Sequence, residues 1–561
     1  MKKTLRTSIA LALLGVAGLA GAPRLEAAAR AVPVIEAVKR GDATAIRTLI
    51  RQKADVNATE PDGTTALHWA ADMGHVELVD LLLKAGAKLK VANRFGSTPF
   101  GLAAGKGFAP VLERMLQAGE DASAVVNGEP VLMLAARAGD VDAVKLLLAK
   151  GADPNTKEPA RDQTALMWAA AEGNTGVVKT LLEAGADIKA RSKAPGKGLV
   201  LGTGFVVPRM NDPLGLRSNR DSTSWGIQLD GLQLTPLMWA ARAGHIDTMR
   251  ALVAGGANVN EAKPEGTTPL ILAVINHHWE AASVLLDLGA DPNKGPGYTA
   301  LHQLAWSRRL NLAAAFHPGF PEPTGHIDSM ELAKRLVAKG VKVNAQMTES
   351  FKDNFRNRFN RIGATAFLLS AKLVDVPLMK FLVANGADRT IRNKDGDSPL
   401  MVAAGVAISN PGEDPGSEAE VMAAVKYLVD ELGEDVNYRN NNNETALHGA
   451  SYRTFISVAQ YLVNKGAKLH VENVIGWTPL SISDGAFYAG LHKAFPPMAA
   501  WFREQYVKQG LAVPPPPGEL LDTKNLTQKN EAYDADLKRL AAEATAKADA
   551  EKKAREAADK K

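Results

Sequence analysis

The sequence predicts an all-α solenoid of about twelve helix-turn-helix repeats, and three observations carry that expectation. A capping tetrapeptide recurs ten times, as in Thr65-Ala-Leu-His68, Thr235-Pro-Leu-Met238 and Thr445-Ala-Leu-His448. A Gly usually stands 21 residues after its first residue. The resulting period is near 33 residues. A unit that small cannot bury its apolar face alone, so neighbours must stack into one quasi-linear core. Length and composition, 561 residues and 46% hydrophobic, would equally allow three or four separate domains; the repeat decides against them.

Taken in chain order, residues 1–31 come first and read as a secretory signal. Lys2, Lys3 and Arg6 form a basic start, an apolar stretch runs from Ile9 to Ala20, and small residues end the segment near Ala29 or Ala31. The stretch is too short to span a bilayer stably. These 31 residues hold five basic groups against one acid, and without them 61 basic and 60 acidic groups leave a net charge of only +1. The basic balance of the whole chain is therefore weak support for a nucleic-acid partner. With zero Cys there is no disulfide and no lipid-attachment thiol, and no later segment has the length and apolarity of a membrane anchor. The expectation is a bacterial protein exported to the periplasm or beyond, held together by packing alone.

The helix starts fall at Thr65, Thr98, Thr164, Thr235, Thr268, Thr299, Thr365, Ser398, Thr445 and Thr478, with a degenerate unit around Pro130. Each hydroxyl can cap a helix, and Pro99, Pro236, Pro269, Pro399 and Pro479 stand at the first helical position, where the missing N–H costs nothing. A short Ala-rich helix follows each cap. A second helix then carries apolar residues at helical spacing, such as Val76, Val79, Leu82 and Leu83, and Gly86 closes it in the left-handed conformation.

On these residues the chain resembles the ankyrin-repeat family: residues 65–87, TALHWAADMGHVELVDLLLKAGA, and 235–260, TPLMWAARAGHIDTMRALVAGGANVN, carry the likeness most clearly. Repeats 1–5 are expected over 32–193 and repeats 6–12 over 232–510, with terminal caps at Val34–Asn57 and after Thr478. The interrupted units and the tail also resemble exported bacterial ankyrin proteins. The likeness implies that first helices and hairpin tips line the concave side and serve for contact; it does not imply a biochemical role. No cofactor is expected.

The period fails at a few places. Gly185 to Thr235 spans 50 residues, which marks an insertion loop over 194–231; Thr299 to Gly340 spans 41, Gly340 to Thr365 spans 25 and Ser398 to Gly433 spans 35, which mark insertions near 308–328, 349–360 and 408–419. Insertions in a solenoid emerge on a defined face and are often binding elements. A stiff Pro-rich linker, 511–518, precedes an Ala-rich tail, 519–561, that reads as partly helical or solvated.

Chemistry is sparse. Five His lie between His277 and His326, but without regular ligand spacing or Cys, and His302 sits in the capping tetrapeptide, as His68 and His448 do, where a bond to backbone or Thr is the simpler role. The glycines of 196–204 lack the Lys-Ser/Thr of a phosphate loop, and no nucleophile motif is present, so neither a catalytic nor a metal site is expected.

The candidate partner-binding residues are Trp69, Trp168 and Trp239 at one first-helix position, Trp306 nearby, and Asp72, Lys106, Arg137, Glu172, Arg242 and Arg308 toward the helix ends. Repeated Trp fits inter-repeat packing as well as interface anchoring. In 351–361, FKDNFRNRFNR, Phe351, Phe355 and Phe359 recur at helical spacing among cations, either packing on the stack or meeting a partner. The expected function is a non-catalytic scaffold or adaptor for an unknown protein partner in the cell envelope. Alternatives are an accessory subunit of an exported enzyme, or an enzyme or metal-binding protein with its site in the insertions.

Overall fold

The computed structural model describes residues 32–193, 233–309, 325–351, 359–408, 415–474, 476–485 and 494–514. The signal segment, the 194–231 insertion with its glycines, Phe355 and nearly all of the linker and tail lie outside them. So do the middles of the insertions near 308–328, 349–360 and 408–419. The described residues form two units, divided after Asn127. The first holds three helix pairs and the second nine, all antiparallel-paired short helices, with only a pair of two-residue strands besides.

Local chemistry sets each pair. The caps Thr65, Thr98, Thr164, Thr235, Thr268, Thr365, Ser398 and Thr478 are extended, and each side-chain oxygen accepts the N–H three residues on. Pro130 replaces the hydroxyl in the degenerate unit and its helix, Val131–Ala138, starts without a side-chain cap. Between the paired helices the chain reverses through a left-handed residue. At Gly173, φ is 77° and a Cβ would meet the His245 ring at 2.7 Å. That ring in turn reaches back to the Ala171 carbonyl, 2.9 Å from Nε2. Gly here both permits the turn and admits the next repeat's cap.

Three histidines join repeats in the same way. His68 Nδ1 accepts the Thr65 N–H (3.1 Å) and its Nε2 meets the Ser97 carbonyl (3.1 Å). His302 does so with Thr299 (3.2 Å) and Ala345 (2.9 Å), and His448 with Thr445 (3.0 Å) and Trp477 (3.2 Å). An acceptor at Nδ1 and a donor at Nε2 require the neutral ring. Burial pushes all three down from the ordinary value, His302 and His448 to about 4.

Asparagines make a second inter-repeat link. Asn260 donates to the Gly289 carbonyl (3.0 Å) and accepts the Asp291 N–H (2.7 Å). Asn155 bridges to Gly185 and Asp187, Asn293 to Gly340 and Lys342, Asn344 to Gly386 and Asp388, and Asn437 to Gly466 and Lys468 in the same fashion. In the first unit Asn57 repeats it with Gly86 and Lys88. Each amide satisfies a carbonyl that the second helix leaves open. Asn260→Ala is therefore expected to cost about 1–2 kcal/mol at this junction, read as faster amide exchange of Gly289–Asp291 with distant repeats unchanged.

Candidate functional site

The Trp positions are built by register. In the first helices that follow Thr65, Thr98, Thr164, Thr235 and Thr268 the first three residues after the cap plug the stack and the fourth turns partly outward, whereas Leu134, Gln303, Leu369 and Val402 at the same position are buried. In the second unit this fourth position holds Leu134, Trp168, Trp239 and Leu272, on the helices Val131–Ala138, Ala165–Glu172, Pro236–Ala243 and Pro269–Ile275, each packed on the next. Leu134 is nearly covered, while Trp168, Trp239 and Leu272 are half-buried. Trp239 packs on the cluster of Leu234 and Met238 beside Leu272. The row is thus an apolar strip open on one side.

Cations lie along it. The Arg137 guanidinium sits 5.1 Å from the Trp168 ring centre and pairs with Glu129 at 3.6 Å; Arg242 sits 5.4 Å from the Trp239 ring. Burial lowers Arg242 to about 10, still a cation at neutral pH. Glu172 is exposed at the end of its helix. The Nε1 atoms of Trp168 and Trp239 are covered and have no acceptor among the described residues.

In the first unit Trp69 holds the same register position, and here the donor is matched. Its Nε1–H donates to Glu60 at 2.8 Å, and Lys39 lies 4.7 Å over the ring while bonding the other Glu60 oxygen at 2.6 Å. Asp72 and Lys106 form a loose surface pair at 3.9 Å. Glu60 and Lys39 were not among the sequence candidates. Their signal was available, an acid nine residues before the Trp and a base in the preceding repeat, but neither belongs to the repeated motif.

Four other candidates are corrected. Trp306 stands one turn beyond the Trp register, at the seventh position of Ala300–Ser307, and is 2% exposed. Arg308 is held by a buried carboxylate, Nε to Asp375 Oδ2 at 2.7 Å, with a further bond to Ser329 at 2.5 Å. Phe351 and Phe359 are buried and lie in irregular backbone, so no helical stripe exists among the described residues. Phe351 packs on Tyr298 (4.5 Å) and Trp306 (5.7 Å), and Arg361 covers Trp306 at 4.2 Å. Lys372 lies 5.6 Å from Phe359 and donates to the Val406 carbonyl at 3.0 Å. Aromatic rings near an insertion are here the lining that joins it to the stack.

Among the described residues no group of three or more His, Cys, Asp or Glu side chains converges as metal ligands, and no helix is long and apolar enough to cross a membrane. His277 stacks on Trp279 at 4.8 Å, and burial with His278 nearby pushes it down to about 4.

Family models of ankyrin repeats match residues 34–124, 100–192, 218–296, 237–316 and 417–463, together just over half of the chain. The human ankyrin repeat and SOCS box protein 16 is 33% identical over 258 residues, which is 46% of this chain and 48% of that protein. The human mitochondrial disaggregase is 29% identical over 171 residues, 30% of this chain and 24% of that one. The chain thus spans less than half the length of either relative. Among solved structures, the human ASB11 ankyrin repeat domain matches at 25% identity over 46% of this chain and 99% of that domain, with a TM-score of 0.37.

Proposed function

Since the chain belongs to the ankyrin-repeat family, we propose that it is a non-catalytic protein-binding scaffold acting in a bacterial cell envelope. One observation carries the binding role: Trp168 and Trp239, at the fourth position of two successive first helices, stay half-open, while the three residues before each are buried. A rigid, pre-ordered row of this kind binds without a large ordering cost. Trp and Arg side by side supply the anchors that dominate interface energies. The envelope location rests on the basic start and short apolar stretch of residues 1–31.

The test is a crosslinking pull-down from bacterial envelope extract with the intact chain and with Trp168→Ala/Trp239→Ala/Arg242→Ala. The expected result is at least one partner captured by the intact chain and lost from the variant, since anchors of this type each contribute about 2 kcal/mol or more. An identical partner list for both would remove the row from the account. Deletion of 196–230 in parallel tells whether the insertion contributes.

A further inference from the structure

The residue just before the cap is neutral in most repeats, as at Thr64, Gln163, Thr267 and Ala364. Two successive repeats depart from this, with Asp397 before Ser398 and Glu444 before Thr445. Asp397 is 1% exposed and Glu444 is 9% exposed. Among the described residues neither carboxylate has a cation; Asn393 and Asn440 donate to the two oxygens of Asp397 at 2.8 Å each, and the Tyr452 hydroxyl donates to Glu444 at 2.6 Å. The repeat does not need these charges, since Thr, Gln or Ala serves in the same place. Two anions buried at one junction therefore require another reason.

Asn440 ties the two acids into one network, because its Nδ2 donates to Asp397 while its Oδ1 accepts the Glu444 N–H at 2.9 Å. The helices that follow, Pro399–Ala404 and Ala446–Arg453, meet almost backbone to backbone. A Cβ on Gly449 would lie 2.7 Å from the Val406 nitrogen, and one on Gly405 would lie 2.5 Å from the Gly449 carbonyl oxygen. A joint this close has little slack with which to separate its charges. Burial, with the Asp397 charge nearby, pushes the Glu444 carboxyl up against the lowering bonds from Tyr452, Asn440 and Asn473. Asp395 is raised by the same two causes and accepts from Asn360 at 2.7 Å. The other charged groups around the pair are Lys394, Arg439 and Glu472, all exposed, and Arg453, whose Nη1 donates to the Pro415 carbonyl at 3.4 Å. The His448 ring, pushed down to about 4 by burial, stays neutral above that pH.

We propose that Asp397 and Glu444 make the junction between the repeats that start at Ser398 and Thr445 a proton-operated joint. With both carboxylates charged the joint opens easily; one proton taken up by the pair holds it shut. Opening uncouples the Thr445 and Thr478 repeats from those before them. The sign follows from the carboxyl: a group raised on folding costs stability above its folded value, and that cost is relieved as the pH falls towards the ordinary 4.5. His448 acts in the opposite sense, losing stability as the pH falls from 6.5 towards 4. The effect of the acids is therefore isolated by comparing wild type with a variant that keeps the ring.

Amide hydrogen exchange in the full chain, expressed as protection relative to free-peptide rates, tests this in wild type, Glu444→Gln and Asp397→Asn. Each substitution keeps the shape and an acceptor oxygen while removing one charge. At pH 7 the amides of Ala446–Arg453 are expected to exchange about tenfold more slowly in Glu444→Gln than in wild type, and the gap is expected to close by pH 4.5. Asp397→Asn shifts them in the same direction, and the double variant gains less than the product of the two, because either change removes the repulsion. The Ala66–Asp72 amides of the first unit stay unchanged. Exchange in Glu444→Gln as fast as wild type or faster at pH 7, or a gap of the same size at pH 4.5, would overturn the proposal. Should Glu444→Gln fail to fold, the Asp397→Asn gap at the two pH values decides by the same criteria.

Discussion

His302→Met is expected to cost about 1–2 kcal/mol at pH 7, yet to be neutral or stabilising near pH 4.5. At neutral pH the imidazole satisfies the Thr299 N–H and the Ala345 carbonyl, and methionine leaves both unmatched. Methionine fits the space, since Met167, Met238 and Met401 fill the same register position in other repeats. The sign changes with acid because burial holds His302 at about 4, below its ordinary 6.5. A depressed folded value gives stability that is complete above 6.5 and is lost as the pH falls towards 4. At about 1.4 kcal/mol per unit, the native ring has given up roughly 2–3 kcal/mol by pH 4.5, and methionine gives up nothing. His448 is a less clean reporter: burial raises the neighbouring Glu444 carboxyl, so acid stabilises that group while destabilising the ring. Urea unfolding followed by exchange of the Ala300–Ser307 amides at both pH values measures the change; a penalty independent of pH would contradict it.

Asp375→Ala is expected to be the most damaging single substitution, at about 3–5 kcal/mol. Asp375 is 2% exposed and its partner Arg308 is 12% exposed, so removing the carboxylate strands a guanidinium in a dry site. The same carboxylate caps Val376–Ala384 by accepting the Leu378 N–H at 3.1 Å. Asn at this position retains the cap and loses the charge, so Asp375→Asn should fall between wild type and Ala. Arg308→Met combined with Asp375→Leu should recover most of the loss, because a packed apolar pair replaces both charges. Thermal unfolding of the four proteins checks the order; additive losses in the double variant would show that the pair is not coupled.

The fold was legible because every repeat restates the same local chemistry. Thr, Pro and Gly occupy positions whose backbone demands them, so the helix starts at Thr65, Thr235 and Thr445 could be read before any packing was known. The asparagine links were visible as residues but not as contacts, since Asn260 gains meaning only when the Gly289 carbonyl of the next repeat lies beside it. The candidate surface was legible only as a shared register position, which is half-open at Trp168 and Trp239 but buried at Leu369 and Val402. It was misread where an insertion adds material of its own. Trp306, Arg308, Phe351 and Phe359 have interface-like composition, but tertiary contacts with Tyr298, Arg361, Asp375 and Lys372 turn them inward. Sequence pattern cannot distinguish a ring facing water from one facing a neighbouring insertion, because both are aromatic residues flanked by cations.

The central claim is that a partner docks on the open row of first helices rather than on the second helices behind it. Photo-crosslinking from single sites measures this directly, with the reactive side chain placed at Glu172, exposed at the end of the Trp168 helix, or at Lys179, exposed on the second helix of the same repeat. The account predicts a discrete crosslinked partner from position 172 and none from position 179. Crosslinks from 179 alone, or none from 172 while the intact chain still captures its partner, would contradict it.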